Sequence, residues 1–206
     1  MKLAANILSI IFHPLLMITY GVLLALTYTT LAIYPMQLKL WVLAGVFMMT
    51  AFVPALFIFL MIKIGKNGDY ELTNRTDRTM PYLVYIASVI ACVLYLSKML
   101  MPVWVLSLVF GTAVAMLIAM CINFFWKISA HMIGIGGLLG GIMGISRVYL
   151  LNPYWAFIIV LLIAGLLGGA RIQLKKHTPA QVYAGFGLGF ISIYISSLLS
   201  YFYFFI

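Results

Sequence analysis

The sequence predicts an all-α integral membrane protein, a single-domain bundle of six to seven transmembrane helices spanning 1–206. Three observations predict it. Apolar residues make up 66% of the chain and charged residues 7%, where a soluble domain carries about 25% charged. The mean hydropathy is +1.20. Apolar stretches approaching the roughly 20 residues that a helix needs to cross a bilayer recur from one end of the chain to the other. Together these exclude a disordered chain, a disulfide scaffold and a nucleic-acid-binding module. The net charge of +9 is spread over short loops rather than gathered on a face.

Seven stretches read as spans, at roughly 5–34, 38–62, 81–98, 102–125, 131–150, 153–170 and 179–206. The first follows Lys2 and has no small-residue cleavage site, so it reads as a retained helix rather than a removed signal. It contains Pro14, and the second contains Pro54. Each proline removes an N–H from the helical ladder and predicts a kink. Pro81, Pro102, Pro153 and Pro179 mark starts of later spans, where the missing N–H is harmless. The 131–150 stretch is short and rich in glycine, which leaves the count at six or seven. Its run from Gly134 to Gly144 holds Gly136-xxx-Gly140 and Gly137-xxx-Gly141, and the last span holds Gly185-xxx-Gly189. Small residues at this spacing let helix backbones approach in lipid. They also leave room for an anion at a helix start.

Cys92 and Cys121 sit in apolar runs without metal-like spacing and read as embedded thiols. Trp41, Trp104, Trp126, Trp155 and Tyr201 lie near span ends and read as interfacial belts. The longest polar stretch, 63–80, holds all three acidic residues, Asp69, Glu71 and Asp77. Alternating the seven spans puts nine basic residues on one side (Lys2, Lys63, Lys66, Arg75, Arg78, Lys127, Arg171, Lys175 and Lys176) and Lys39, Lys98 and Arg147 on the other. This favours a cytoplasmic placement of the first side. Setting aside the cations of a candidate site leaves five against three.

Three polar clusters converge on that first side: Asn74/Arg75/Asp77/Arg78, Lys127/Ser129/His131 and Arg171/Lys175/Lys176/His177. Cations with two histidines and few carboxylates suit a phosphate better than a metal, which wants several His, Cys or carboxylate ligands. Such a set can transfer phosphoryl groups. One imidazole attacks phosphorus, a second protonates the leaving oxygen, and arginines with helix-start N–H groups hold the equatorial oxygens. Neither metal nor organic cofactor is called for. His13, in Phe12-His13-Pro14, is an ionisable residue inside a span without a motif neighbour.

These residues resemble the type-2 phosphatidic acid phosphatase superfamily, which includes vanadium haloperoxidases. Its pattern is K-x6-R-P, then P-S-G-H, then S-R-x5-H-x3-D. Here the third motif reads Ala170-Arg171-IQLKK-His177-TPA-Gln181, the second Ile128-Ser129-Ala130-His131, and the first, loosely, Asn74-Arg75-T-Asp77-Arg78-TM-Pro81. The resemblance covers 71–189. It implies a membrane lipid phosphatase, of the bacterial inner membrane, acting on a lipid phosphate. His177 would be the nucleophile and His131 the proton donor. Arg171, Arg75, Arg78, Lys127 and Ser129 would bind phosphate, and Gln181 would orient His177 in place of the family's aspartate. It also implies a site facing away from the cytoplasm, opposite to the charge count. The neutral Gln181 and the loose first motif equally admit a non-catalytic phospholipid-binding or transport protein on the same scaffold. A prenyl-diphosphate transferase would want two aspartate-rich loops, and carboxylates occur here only at 69–77.

Overall fold

The structure is a computed structural model, describing residues 2–64, 78–149 and 152–205. Every regular element among them is helical: α1 (Lys2–Ile11), α2 (Met17–Tyr28), α3 (Met36–Phe47), α4 (Val53–Ile64), α5 (Thr79–Lys98), α6 (Val103–Asn123), α7 (Ala130–Tyr149), α8 (Tyr154–Gln173) and α9 (Pro179–Phe205). A tight helical turn at Pro14–Leu16 interrupts the first span, another at Thr30–Ile33 follows it, and a wide turn at Met48–Phe52 joins α3 to α4.

Six helical runs are long and apolar enough to cross a membrane: Lys2–Tyr28, Met36–Lys63, Thr79–Lys98, Val103–Asn123, Tyr154–Gln173 and Pro179–Tyr201. Their outer faces stay apolar, with Leu3, Leu94, Trp155 and Leu162 each at least 62% exposed. Bare hydrocarbon of this extent belongs in lipid. The protein is thus a multi-pass membrane protein. α7, glycine-rich and outside these six runs, packs among the other helices. Its first turn sits beside the α6–α7 link, and Tyr149 at its far end packs edge-on against Trp104 at the start of α6, ring centroids 5.5 Å apart. Trp104 is therefore a packed residue, 3% exposed, and not part of an interfacial belt. Trp41, Trp126 and Trp155 are exposed.

Both internal prolines act as their chemistry requires. Pro14 separates α1 from α2. Pro54, the second residue of α4, removes the N–H that Thr50 O would take, and the wide turn lies directly before it. The Thr50 hydroxyl, fully buried, bonds back to Val46 O at 2.9 Å.

The glycines decide how the last helices pair. A Cβ at Gly136 or Gly140 would collide with the carbonyls of Phe186 and Phe190, and one at Gly189 with that of Ile133. A Cβ at Gly185 would lie 2.7 Å from Ser129 O. Positions rise together on both helices, so α7 and α9 run parallel with backbones touching. This close approach covers the Gly136/Gly140 face of α7, while Gly134, Gly137 and Gly141 line a largely apolar cavity. A parallel pairing also sets the two helix starts side by side, bringing Ser129 and His131 to the same end of the bundle as His177 and Gln181. α8 runs the other way and delivers Arg171 to that end.

Candidate functional site

The segment from Arg171 to Gln181 is a helix stop followed at once by a helix start. α8 ends when Lys175 turns left-handed, φ 55°. Lys176 N then bonds Arg171 O at 3.1 Å and Lys175 N bonds Ile172 O at 2.9 Å, a Schellman closure. His177 N also reaches Arg171 O, at 3.4 Å. The five-residue gap between Arg171 and His177 is therefore one helix-terminating turn, and it holds both residues at one place.

α9 begins with a capping box. Gln181 N donates to Thr178 Oγ1 at 3.4 Å, and Thr178 N donates to Gln181 Oε1 at 3.2 Å. Pro179 occupies the first helical position, where its ring suits the backbone. The same Gln181 Oε1 lies 3.0 Å from His177 Nδ1. Because Thr178 N can only donate, the atom facing it is the amide oxygen, and His177 Nδ1 must be the protonated ring nitrogen. The lone pair of the neutral ring then sits on Nε2.

His177 is 8% exposed. Burial holds its pKa down to about 4, from an ordinary value of 6.5. The Gln181 bond opposes this shift, while the charges of Lys127, Arg78 and Arg171 reinforce it. At neutral pH the ring is an uncharged base among three cations.

Ser129 caps the start of α7 through its carbonyl, which accepts from Met132 N and Ile133 N at 3.1 and 3.0 Å. Its hydroxyl is fully buried and makes no hydrogen bond among the described residues. A buried hydroxyl without a partner is costly, and here it stands at a helix N-terminus, where N–H groups favour an anion. His131, second residue of α7, places Nε2 3.2 Å from Ser9 O. Arg171 Nη1 donates to Ser9 Oγ at 3.3 Å. Arg171 lies within electrostatic reach of His131, His177 and His13.

The structure thus brings together His177, His131, Arg171, Gln181, Ser129, Lys127 and Arg78 from three separate stretches of chain. Arg75 lies outside the described residues, as do Asp69, Glu71 and Asp77. Among the described residues no group of three or more His, Cys, Asp and Glu side chains could hold a metal ion. Two residues join the cluster that motif spacing did not pick out. Ser9 bridges His131 and Arg171, and the His13 ring stands edge-on to His131, centroids 5.4 Å apart. The one signal for them was the His13-Pro14 pair inside an apolar span. Comparisons with protein-family models, with curated proteins and with solved structures find no match for the chain.

Proposed function

We propose that this protein is a lipid phosphatase of a bacterial inner membrane, hydrolysing a phosphomonoester or diphosphate headgroup through a phosphohistidine, without a metal. The observation that carries the proposal is His177. Its Nδ1 is tied to a carbonyl oxygen whose own orientation is set by the helix cap, so Nε2 offers a lone pair. The same ring lies in the field of Arg171, Lys127 and Arg78.

In the first step His177 Nε2 attacks phosphorus and the P–O bond to the leaving alcohol or phosphate breaks. His131 relays to the leaving oxygen the proton of the monoanionic phosphate headgroup, taken up and passed on by its substrate-facing ring nitrogen. Arg171, with a guanidinium fork matched to phosphate, takes the equatorial oxygens along with the Ser129 hydroxyl and the first N–H groups of α7. In the second step water, deprotonated by His131, attacks the phosphohistidine. Inorganic phosphate leaves and His177 returns neutral. A pKa near 4 suits the nucleophile, because the ring stays unprotonated at neutral pH without a separate base. By the resemblance, the lipids to test are phosphatidic acid, phosphatidylglycerol phosphate, a polyprenyl diphosphate and a lipid A phosphate.

One observation favours a second reading, a non-catalytic phospholipid-binding or transport protein. Gln181 places a neutral amide where a carboxylate would stabilise the imidazolium better. Trapping separates the two. Quenching in alkaline detergent after mixing with 32P-labelled lipid phosphate yields acid-labile, base-stable label on the enzyme and none on His177→Ala. A binding protein retains lipid and takes up no label.

A further inference from the structure

The helix break at Pro14 lies outside the motif-bearing region, yet it touches two of the site residues. Its origin is local. Pro14 has no N–H, so Ile10 O loses its usual partner. The His13 N–H moves to Ile10 O, at 3.3 Å, and no longer serves Ser9 O, while Leu8 O keeps the Phe12 N–H at 2.9 Å. Two carbonyls at the end of α1 are released, and side chains from elsewhere satisfy both. Ile11 O accepts from Tyr20 OH at 2.9 Å, and Ser9 O accepts from His131 Nε2 at 3.2 Å.

A carbonyl only accepts, so His131 Nε2 carries the proton and Nδ1 is the nitrogen left for the substrate. The Ser9 hydroxyl meanwhile accepts from Arg171 Nη1 at 3.3 Å. Ser9 is 7% exposed, so both bonds are shielded from water. His13 is held by its own cap, Leu15 N donating to its Nδ1 at 3.3 Å.

We propose that Ser9, released by the Pro14 break, is a positioning residue of the site: its carbonyl sets the tautomer and direction of His131, and its hydroxyl aims the Arg171 guanidinium. The roles of His131 and Arg171 here rest on the phosphatase reading. His131 and His177 are then oriented in the same way, each by a neutral carbonyl oxygen that a helix end makes available.

Two variants separate the two contacts. Ser9→Ala keeps the carbonyl and loses the hydroxyl. With phosphatidic acid in detergent micelles, KM rises about tenfold while kcat stays within about threefold, and Ser9→Thr restores KM. Pro14→Ala returns an N–H to position 14, so α1 can continue and reclaim Ser9 O. Here kcat falls about 100-fold, the scale of a general acid's contribution, with KM little changed. The 15N NMR signals of the His131 ring then lose the pure Nε2–H signature. A helix break that serves packing alone moves neither KM nor that signature.

Orthovanadate affinity, measured by calorimetry on the same purified proteins, keeps the inference separate from the reading it rests on. If the wild type releases phosphate while Ser9→Ala matches it in KM and vanadate affinity and Pro14→Ala leaves the His131 signature unmoved, the positioning role is refuted and the phosphatase stands. If the wild type releases nothing but Ser9→Ala weakens vanadate binding about tenfold, the positioning role stands and the phosphatase falls. A wild type that neither releases phosphate nor binds vanadate overturns both.

Discussion

Gln181 performs two tasks with one oxygen, and substitution there reads both. In Gln181→Ala the capping box opens. Thr178 is exposed, so water replaces that acceptor in part and the loss is about 1 kcal/mol. The second loss is larger, because His177 Nδ1–H is shielded and would be left without a partner, at about 1–3 kcal/mol. The sum is about 2–4 kcal/mol of stability. The ring, no longer pinned, also adopts the Nε2–H tautomer, which has no lone pair toward phosphorus, and turnover falls at least about 100-fold. Gln181→Glu makes the opposite test. A carboxylate keeps both acceptors and adds a favourable charge in the first turn of α9, worth about 0.3–1 kcal/mol. It also places a negative charge against the imidazole, which raises the His177 pKa from about 4 by about 1–3 units. 15N NMR of histidine-labelled protein in nanodiscs, titrated from pH 3 to 8, reports tautomer and pKa together, and unfolding in detergent reports stability. A wild-type His177 protonated on Nε2 at neutral pH would overturn the Nδ1–H assignment. So would a titration that Gln181→Glu leaves in place.

Other consequences follow from the same geometry. Gly189→Ala drives a methyl group into the Ile133 carbonyl, and because backbone cannot step aside as a side chain can, α7 and α9 separate. Detergent unfolding should show a loss of at least about 1–3 kcal/mol, together with loss of activity, since that pairing aligns the two helix starts. Gly165→Ala, where a Cβ meets nothing within 4 Å, serves as the control and leaves both unchanged. Lys175 occupies a left-handed position, φ 55°, so Lys175→Gly should stabilise the protein by about 0.5–1 kcal/mol and Lys175→Val should destabilise it by more than that. The depressed pKa of His177 has a signed effect on stability. The unfolded chain takes up the proton near pH 6.5 and the folded chain only near 4. Stability therefore falls as pH drops through that window, by up to about 3 kcal/mol, and His177→Gln removes this part of the slope in unfolding curves at pH 4 to 7.

The later helices were legible because each is one uninterrupted apolar run of about 20 residues: 81–98 became Thr79–Lys98, and 153–170 became Tyr154–Gln173. The first two spans were legible as kinked but not in how they break. Pro14 produces a full separation with orphan carbonyls, whereas Pro54 is accommodated by a wide turn before it. The glycine spacings announced close packing without naming the partner, because Gly136-xxx-Gly140 would serve equally against any helix with a smooth face. Only the fold pairs it with Phe186 and Phe190 and makes the pairing parallel. Within the site, Thr178-Pro179-Ala180-Gln181 carries a capping-box pattern, and His177 and Gln181 stand one helical turn apart, so their contact was readable. Ser9 was not. It is one serine in an apolar run, and its importance comes from a proline five residues on that frees its carbonyl, and from a tertiary contact 122 residues away.

The most direct test of the account is phosphate release by purified protein in detergent from the four lipid phosphates named above, with chelator present and His177→Ala and His131→Ala alongside. A metal-independent histidine phosphatase gives chelator-resistant release from at least one of them, inhibited by orthovanadate and abolished by His177→Ala. Release by His177→Ala at the wild-type rate, or no release by the wild type above that variant with any of the four, would contradict it.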